Sequence, residues 1–278
     1  MNMRQLPLQD DRAYSPVGSC IYCGRKTELS TEHIIPYGLG GRWIIPESSC
    51  LPCAKKTGAF EGTCQRSILG PLRMHYNLPT RRPQERPSTL PLKVKLKPDG
   101  AWTTIQVDRD ICPFLVLFPI LDLPEEITDS RTRVSKGATA RTFWIRAASF
   151  SDGISPGDPM TYLGELCKKL GISSVEPTAA FRVPEFFRML AKIAHAFSVA
   201  ELGGASFRSF LVPSILENKL DDSARYIGGM TANSHPSTLL HQVSQLHCTE
   251  KPELVIVGIQ LFAPLGTPTY VVVVGSRT

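Results

Sequence analysis

"CIYCGRKTELSTEHIIPYGLGGRWIIPESSCLPC", residues 20 to 53, opens and closes on a CxxC pair, Cys20 with Cys23 and Cys50 with Cys53, with 26 residues between them. Two short thiol hooks at this separation read as one tetrahedral zinc site. The segment around them, residues 14–76, is too small for a large core, so metal binding would supply its folding free energy. Cys64, Cys112, Cys167 and Cys248 stand singly and read as small buried apolar residues. The first residues, "MNMRQLPLQDDRAYSP", lack the apolar stretch of a secretory leader, which fits reduced thiols and a cytoplasmic expectation.

Between the hooks, Glu32 and His33 are adjacent and are followed by Ile34, Ile35, Pro36 and the turn-forming "GLGG". Neighbours on an extended strand point to opposite faces, so this carboxylate and this imidazole can address different partners. A carboxylate holds a cation, and a neutral imidazole takes a proton from water, which are the two tasks of phosphodiester hydrolysis. From Cys50 onward, "CLPCAKKTGAFEGTCQRSIL" reads as a helix carrying the second knuckle on its first turn, against the weakening effect of Gly58 and Gly62.

The motifs "CIYCGR", "STEHIIPYGLGG" and "CLPCAKKTGAFE" together resemble the HNH endonuclease family, in the form whose ββα-metal module is clamped by two CxxC knuckles. The resemblance implies a structural Zn2+ on Cys20, Cys23, Cys50 and Cys53. It further implies a catalytic Mg2+ or other divalent ion with Glu32 as its ligand, and His33 as general base. Such modules cut phosphodiester bonds, here expected in double-stranded DNA, and often form the cutting part of bacterial proteins directed against phage. The sequence departs from the family pattern at two points. Ala54 stands where the family commonly has an Asn or His ligand, and "IIPESS" stands where an Asn usually orients the base. Glu61, seven residues beyond Ala54 and so on the same helix face, is a candidate replacement ligand or else an ordinary exposed helical residue. Ser48, Ser49 or a backbone carbonyl would orient His33. Lys55 and Lys56 are candidate phosphate contacts, or simply a solvated face.

The chain has 278 residues, 42% hydrophobic and 20% charged, with mean hydropathy −0.05, which is a folded composition with no apolar run long enough to span a bilayer. Its net charge of +6 is clustered in "RRPQER", containing Arg81 and Arg82, and in "KVKLK". Basic clusters of this kind attract a phosphate backbone. Residues 77–91, rich in proline, read as a linker. Residues 92–278 mix strands and helices in an order that predicts a larger α+β domain with an antiparallel sheet. Its clearest helix follows Pro184, with Phe186, Leu190, Ile193 and Phe197 at helical spacing. Arg188, Lys192 and His195 then form a basic stripe read as solvent-facing. This domain is expected to regulate, to bind a partner protein or to dimerise the chain. The competing reading is a non-catalytic, zinc-stabilised nucleic-acid-binding subunit of a larger assembly. The sequence contains neither a Walker-type phosphate loop nor a GxSxG elbow.

Overall fold

The structure is a computed structural model that describes residues 10–128, 140–146, 159–176, 182–218, 223–230 and 238–278. The amino-terminal module begins with β1 (Arg12–Ala13), β2 (Leu29–His33) and β3 (Trp43–Cys50), in sheet order β1-β3-β2, followed by helices α1 (Leu51–Arg66) and α2 (Gly70–His75). Strands β2 and β3 are antiparallel, with Glu32 opposite Ile45 and His33 opposite Ile44. The loop joining them passes through a 3-10 turn at Tyr37–Leu39. It then needs both glycines of its final pair. Gly40 has φ of 89°, and a Cβ on Gly41 would lie 1.9 Å from the Ile35 carbonyl oxygen. Helix α1 starts directly on the second knuckle, with Pro52 in its first turn, and continues through Gly58 and Gly62 as a 16-residue helix.

A second region follows, composed of β4 (Thr89–Lys95), β5 (Trp102–Asp108), β6 (Pro113–Pro119), α3 (Glu125–Thr128), β7 (Ala140–Arg146), α4 (Pro159–Leu170) and β8 (Ser174–Glu176). Strand β4 takes residues 89 to 91 out of the span read as linker, because Leu90 and Leu92 alternate into a small core with Val107 and Leu166. The remaining elements are α5 (Val183–Leu202), β9 (Phe207–Ser209), α6 (Val212–Glu217), α7 (Ser223–Tyr226), β10 (Ile227–Met230), β11 (His241–Leu246), β12 (Leu254–Leu261) and β13 (Thr269–Arg277). The last strands form an antiparallel sheet of order β10-β13-β12-β11, with β9 also paired to β13. The expected α+β class with an antiparallel sheet is therefore present. All eight residues of β12, "LVIVGIQL", are buried, which accounts for its mostly apolar composition, and the one polar side chain, Gln260, donates Nε2 to the Thr267 carbonyl at 2.9 Å.

Helix α5 packs against α1 of the zinc module as well as against strands β12 and β13. One continuous core consequently runs from Cys20, Ile34 and Phe60 through Phe186, Leu190 and Ile193 to Tyr270 and Val274. This placement overturns the solvent-facing reading of the α5 polar stripe. Lys192 and His195 are both buried, because the zinc module covers the face that amphipathic spacing assigns to water. Arg188 is tied down too, with Nη2 donating to the Ile215 carbonyl at 2.6 Å and its guanidinium 4.5 Å from the centre of the Phe60 ring. Among the described residues no helix is long and apolar enough to cross a membrane.

Candidate functional site

The four hook cysteines converge as their spacing requires. Their sulfur atoms all lie within 4.8 Å of one another, and Cys23 Sγ is 3.6 Å from Cys50 Sγ. A tetrahedron with Zn–S bonds of about 2.3 Å has edges of roughly 3.8 Å, so this donor set fits a structural zinc. Cys23 is the exposed member of the four, and its thiol is pulled down to about 7, first by the Arg25 backbone N–H and then by the neighbouring thiols. A lowered pKa favours the thiolate that zinc binds.

Glu32 and His33 occupy the last two positions of β2, after a register shift between Ser30 and Glu32. Such a bulge re-aims the side chains beyond it. Glu32 turns inward and His33 outward, half-buried beside Tyr37, whose ring meets the imidazole edge-on with centroids 5.7 Å apart. Burial, the Lys192 ammonium and the Arg81 guanidinium lower the His33 pKa, against the opposing pull of Glu32, and so favour the neutral ring. Arg81 is thereby placed in the electrostatic neighbourhood of His33. Lys55, Lys56 and Arg82 are exposed, Arg82 with Glu85 3.2 Å away. The Ser48 hydroxyl donates to the Ile45 carbonyl at 2.6 Å.

Inward of His33, Glu32 and Glu61 are brought together across one cation, and that cation is Lys192. Its Nζ lies 2.7 Å from Glu32 Oε1 and 2.9 Å from Glu61 Oε1, with side-chain exposures of 0% for Lys192, 7% for Glu32 and 14% for Glu61. Lys192 also donates to the His33 carbonyl, and the Ile34 carbonyl lies 3.3 Å away. The approach to Glu61 is a charge contact more than a well-aligned hydrogen bond. Burial alone would lower the Lys192 pKa, but Glu32 and Glu61 outweigh it and hold the amine above its ordinary value, as ammonium. Burial also raises Glu61, with Lys192 pulling it back.

The shell around this triad is closed. The Tyr22 phenol is buried and pushed well above its usual pKa, by desolvation first and then by the negative charges of Glu32 and Glu61. His195 lies beside Tyr22, ring centroids 5.6 Å apart, with Nε2 2.8 Å from the Ile21 carbonyl and Nδ1 without a partner. Nε2 is therefore the protonated nitrogen, since only a donor satisfies that carbonyl. Sequence reasoning missed Lys192, Tyr22 and His195 as parts of the site. The available signal was "LAKIAHAF", where Lys192 and His195 are flanked on both sides by apolar residues, the mark of a helix with no solvent face.

A divalent ion prefers about six oxygen ligands, several of them water. Here the two carboxylates already share an ammonium and Ala54 donates nothing, so the residues as arranged do not fit a divalent ion between Glu32 and Glu61.

Residues 20–62 match the family model described as HNH endonuclease. The match spans both knuckles, strands β2 and β3 and helix α1 as far as Gly62, about a sixth of the chain, so the amino-terminal segment is similar to an HNH endonuclease module and carries a four-cysteine cluster of zinc-binding geometry. Comparison with curated proteins and with solved structures returns no match.

Proposed function

We propose that the protein is an HNH-type endonuclease that hydrolyses phosphodiester bonds in double-stranded DNA. The observation that carries this reading is the position of His33, outward on the last residue of β2 in the segment that matches the HNH model, with its neighbour Glu32 turned inward. His33 accepts the proton of a water that attacks phosphorus. The bond to the leaving oxygen breaks as that oxygen takes a proton from solvent. Arg81, with Arg82, Lys55 and Lys56, neutralises the backbone phosphates. By analogy with other HNH modules, the region from residue 92 onward would direct the cutter, through a partner protein or a second copy, in bacterial defence against phage.

A second reading is a non-catalytic nucleic-acid-binding subunit. Ala54 favours it, as does Lys192 lying between the two carboxylates. Plasmid nicking with Mg2+, Mn2+, Ni2+ or chelator, run beside DNA binding at several salt concentrations, separates the readings. A nuclease loses cutting by about 10²- to 10⁴-fold in His33→Ala and keeps binding. A binding subunit binds and never cuts.

A further inference from the structure

We infer that Lys192 is a resident cation, tethered on α5, that takes the place of a divalent ion in the HNH module, so that Glu32 and Glu61 bind an ammonium from the protein's own chain and no free metal. The inference rests on the same site as the nuclease reading and concerns what neutralises its inner carboxylates.

Four oxygen atoms surround the ammonium. They are the carboxylates of Glu32 at 2.7 Å and Glu61 at 2.9 Å, the carbonyl of Ile34 at 3.3 Å, and the carbonyl of His33. Two carboxylates from two different elements, β2 and α1, converge on one point, which is how proteins build a cation site. An ammonium has three donor hydrogens and needs no bound water, so it suits a pocket closed by Tyr22 and by the buried body of α5. A hydrated divalent ion does not. The loss of a ligand at position 54 is then consistent rather than damaging, since a tethered amine needs fewer ligands than Mg2+.

The position of Lys192 explains how it stays there. Met189, Leu190, Ala191, Ile193 and Ala194 on either side are fully buried, so the helix cannot slide or rotate without breaking the core. Because the amine is covalently held, its effective concentration at the carboxylates exceeds that of any free ion. The module's charge balance is thus supplied by the carboxy-terminal region, and among the described residues the four-cysteine cluster is the one group with metal-binding geometry.

The test is Mn2+ binding to the full-length, zinc-loaded protein, read by electron paramagnetic resonance and calorimetry in wild type, Glu32→Gln, Lys192→Ala and Lys192→Ala/Glu61→Gln. The expected result is no Glu32-dependent Mn2+ binding in wild type, with Lys192→Ala gaining affinity by roughly tenfold or more and the added Glu61→Gln removing the gain. Wild-type Mn2+ binding that disappears in Glu32→Gln overturns the inference, as does a folded Lys192→Ala that gains none. If Lys192→Ala does not fold, the wild-type and Glu32→Gln pair decides alone. DNA cleavage is not the readout. Absence of cutting would overturn the nuclease reading and leave this inference standing, and Glu32-dependent Mn2+ binding in a protein that cuts would do the reverse.

Discussion

Lys192 and Glu32, one on the central helix and the other on the second strand of the zinc module, meet at 2.7 Å with the amine wholly shielded from solvent. Their contact joins two regions that the sequence presents as separate. It also fixes the cost of removing either partner. Deleting a buried amine leaves Glu32 and Glu61 facing each other without compensation, and breaking such a pair on one side costs about 3 to 5 kcal/mol. Lys192→Met is expected to lower stability by that amount in urea denaturation. Combining it with Glu32→Gln and Glu61→Gln should recover a large part of the loss, because neutral amides can satisfy one another. A full additive loss in the triple variant would show that packing at position 192, and not charge, sets the cost.

Zinc removal should reach further than the module it staples. The core that begins at Cys20 and Ile34 continues without a break to Tyr270 and Val274. Cys50→Ser, or a high-affinity chelator, is expected to lower the melting temperature of the whole chain in one cooperative transition. Two well-separated transitions, with the carboxy-terminal sheet melting unchanged, would contradict a shared core.

The module was legible in the sequence, and its burial was not. CxxC spacing, the Glu32-His33 doublet and the glycine pair are local signals, each fixed by chemistry within a few residues. The convergence of the thiols and the β2–β3–α1 order follow from them. Glu61 shares a face with Ala54 for a local reason as well, because seven residues along a helix return to one face, but what it meets there is Lys192 at 2.9 Å and not an ion. Lys192 could not be found in this way. Periodicity reports which side of a helix differs from the other, and it has no means of saying that a second domain covers the polar side. Strand β4 was partly missed because Pro91 within it and Pro87 just before it resemble linker composition, although its alternating leucines bury it. The stretch "ARTFWIRAASF", residues 140–150, reads as a strand, and β7 covers Ala140–Arg146 of it, the rest lying outside the described residues.

Arg81 provides the most direct test of where nucleic acid lies. It is exposed, and its charge is felt at His33. Arg81→Ala is expected to weaken DNA binding about equally across sequences and to reduce the slope of log affinity against log salt by about 1. Arg82→Ala should do less, since Arg82 is partly neutralised by Glu85 at 3.2 Å. An unchanged salt slope in Arg81→Ala would remove this edge of the module from the interface.

His241 gives the fold a defined acid sensitivity. Its Nδ1 accepts the Phe262 backbone N–H at 3.0 Å, so Nε2 carries the proton and donates to the Leu39 carbonyl at 2.8 Å, tying the loop after His33 to the carboxy-terminal sheet. Burial lowers its pKa from 6.5 to about 4, with the Leu39 carbonyl opposing. The unfolded chain therefore takes up a proton near pH 6.5 that the folded chain refuses until about pH 4. Stability from this group is complete above pH 6.5 and falls as pH drops toward 4. The loss amounts to roughly 3 kcal/mol at the end of that window. Urea midpoints measured from pH 7 to pH 4.5 should fall less steeply in His241→Gln than in wild type, with zinc content followed in both. Parallel slopes would mean that the acid sensitivity comes from the thiolate cluster and not from this imidazole.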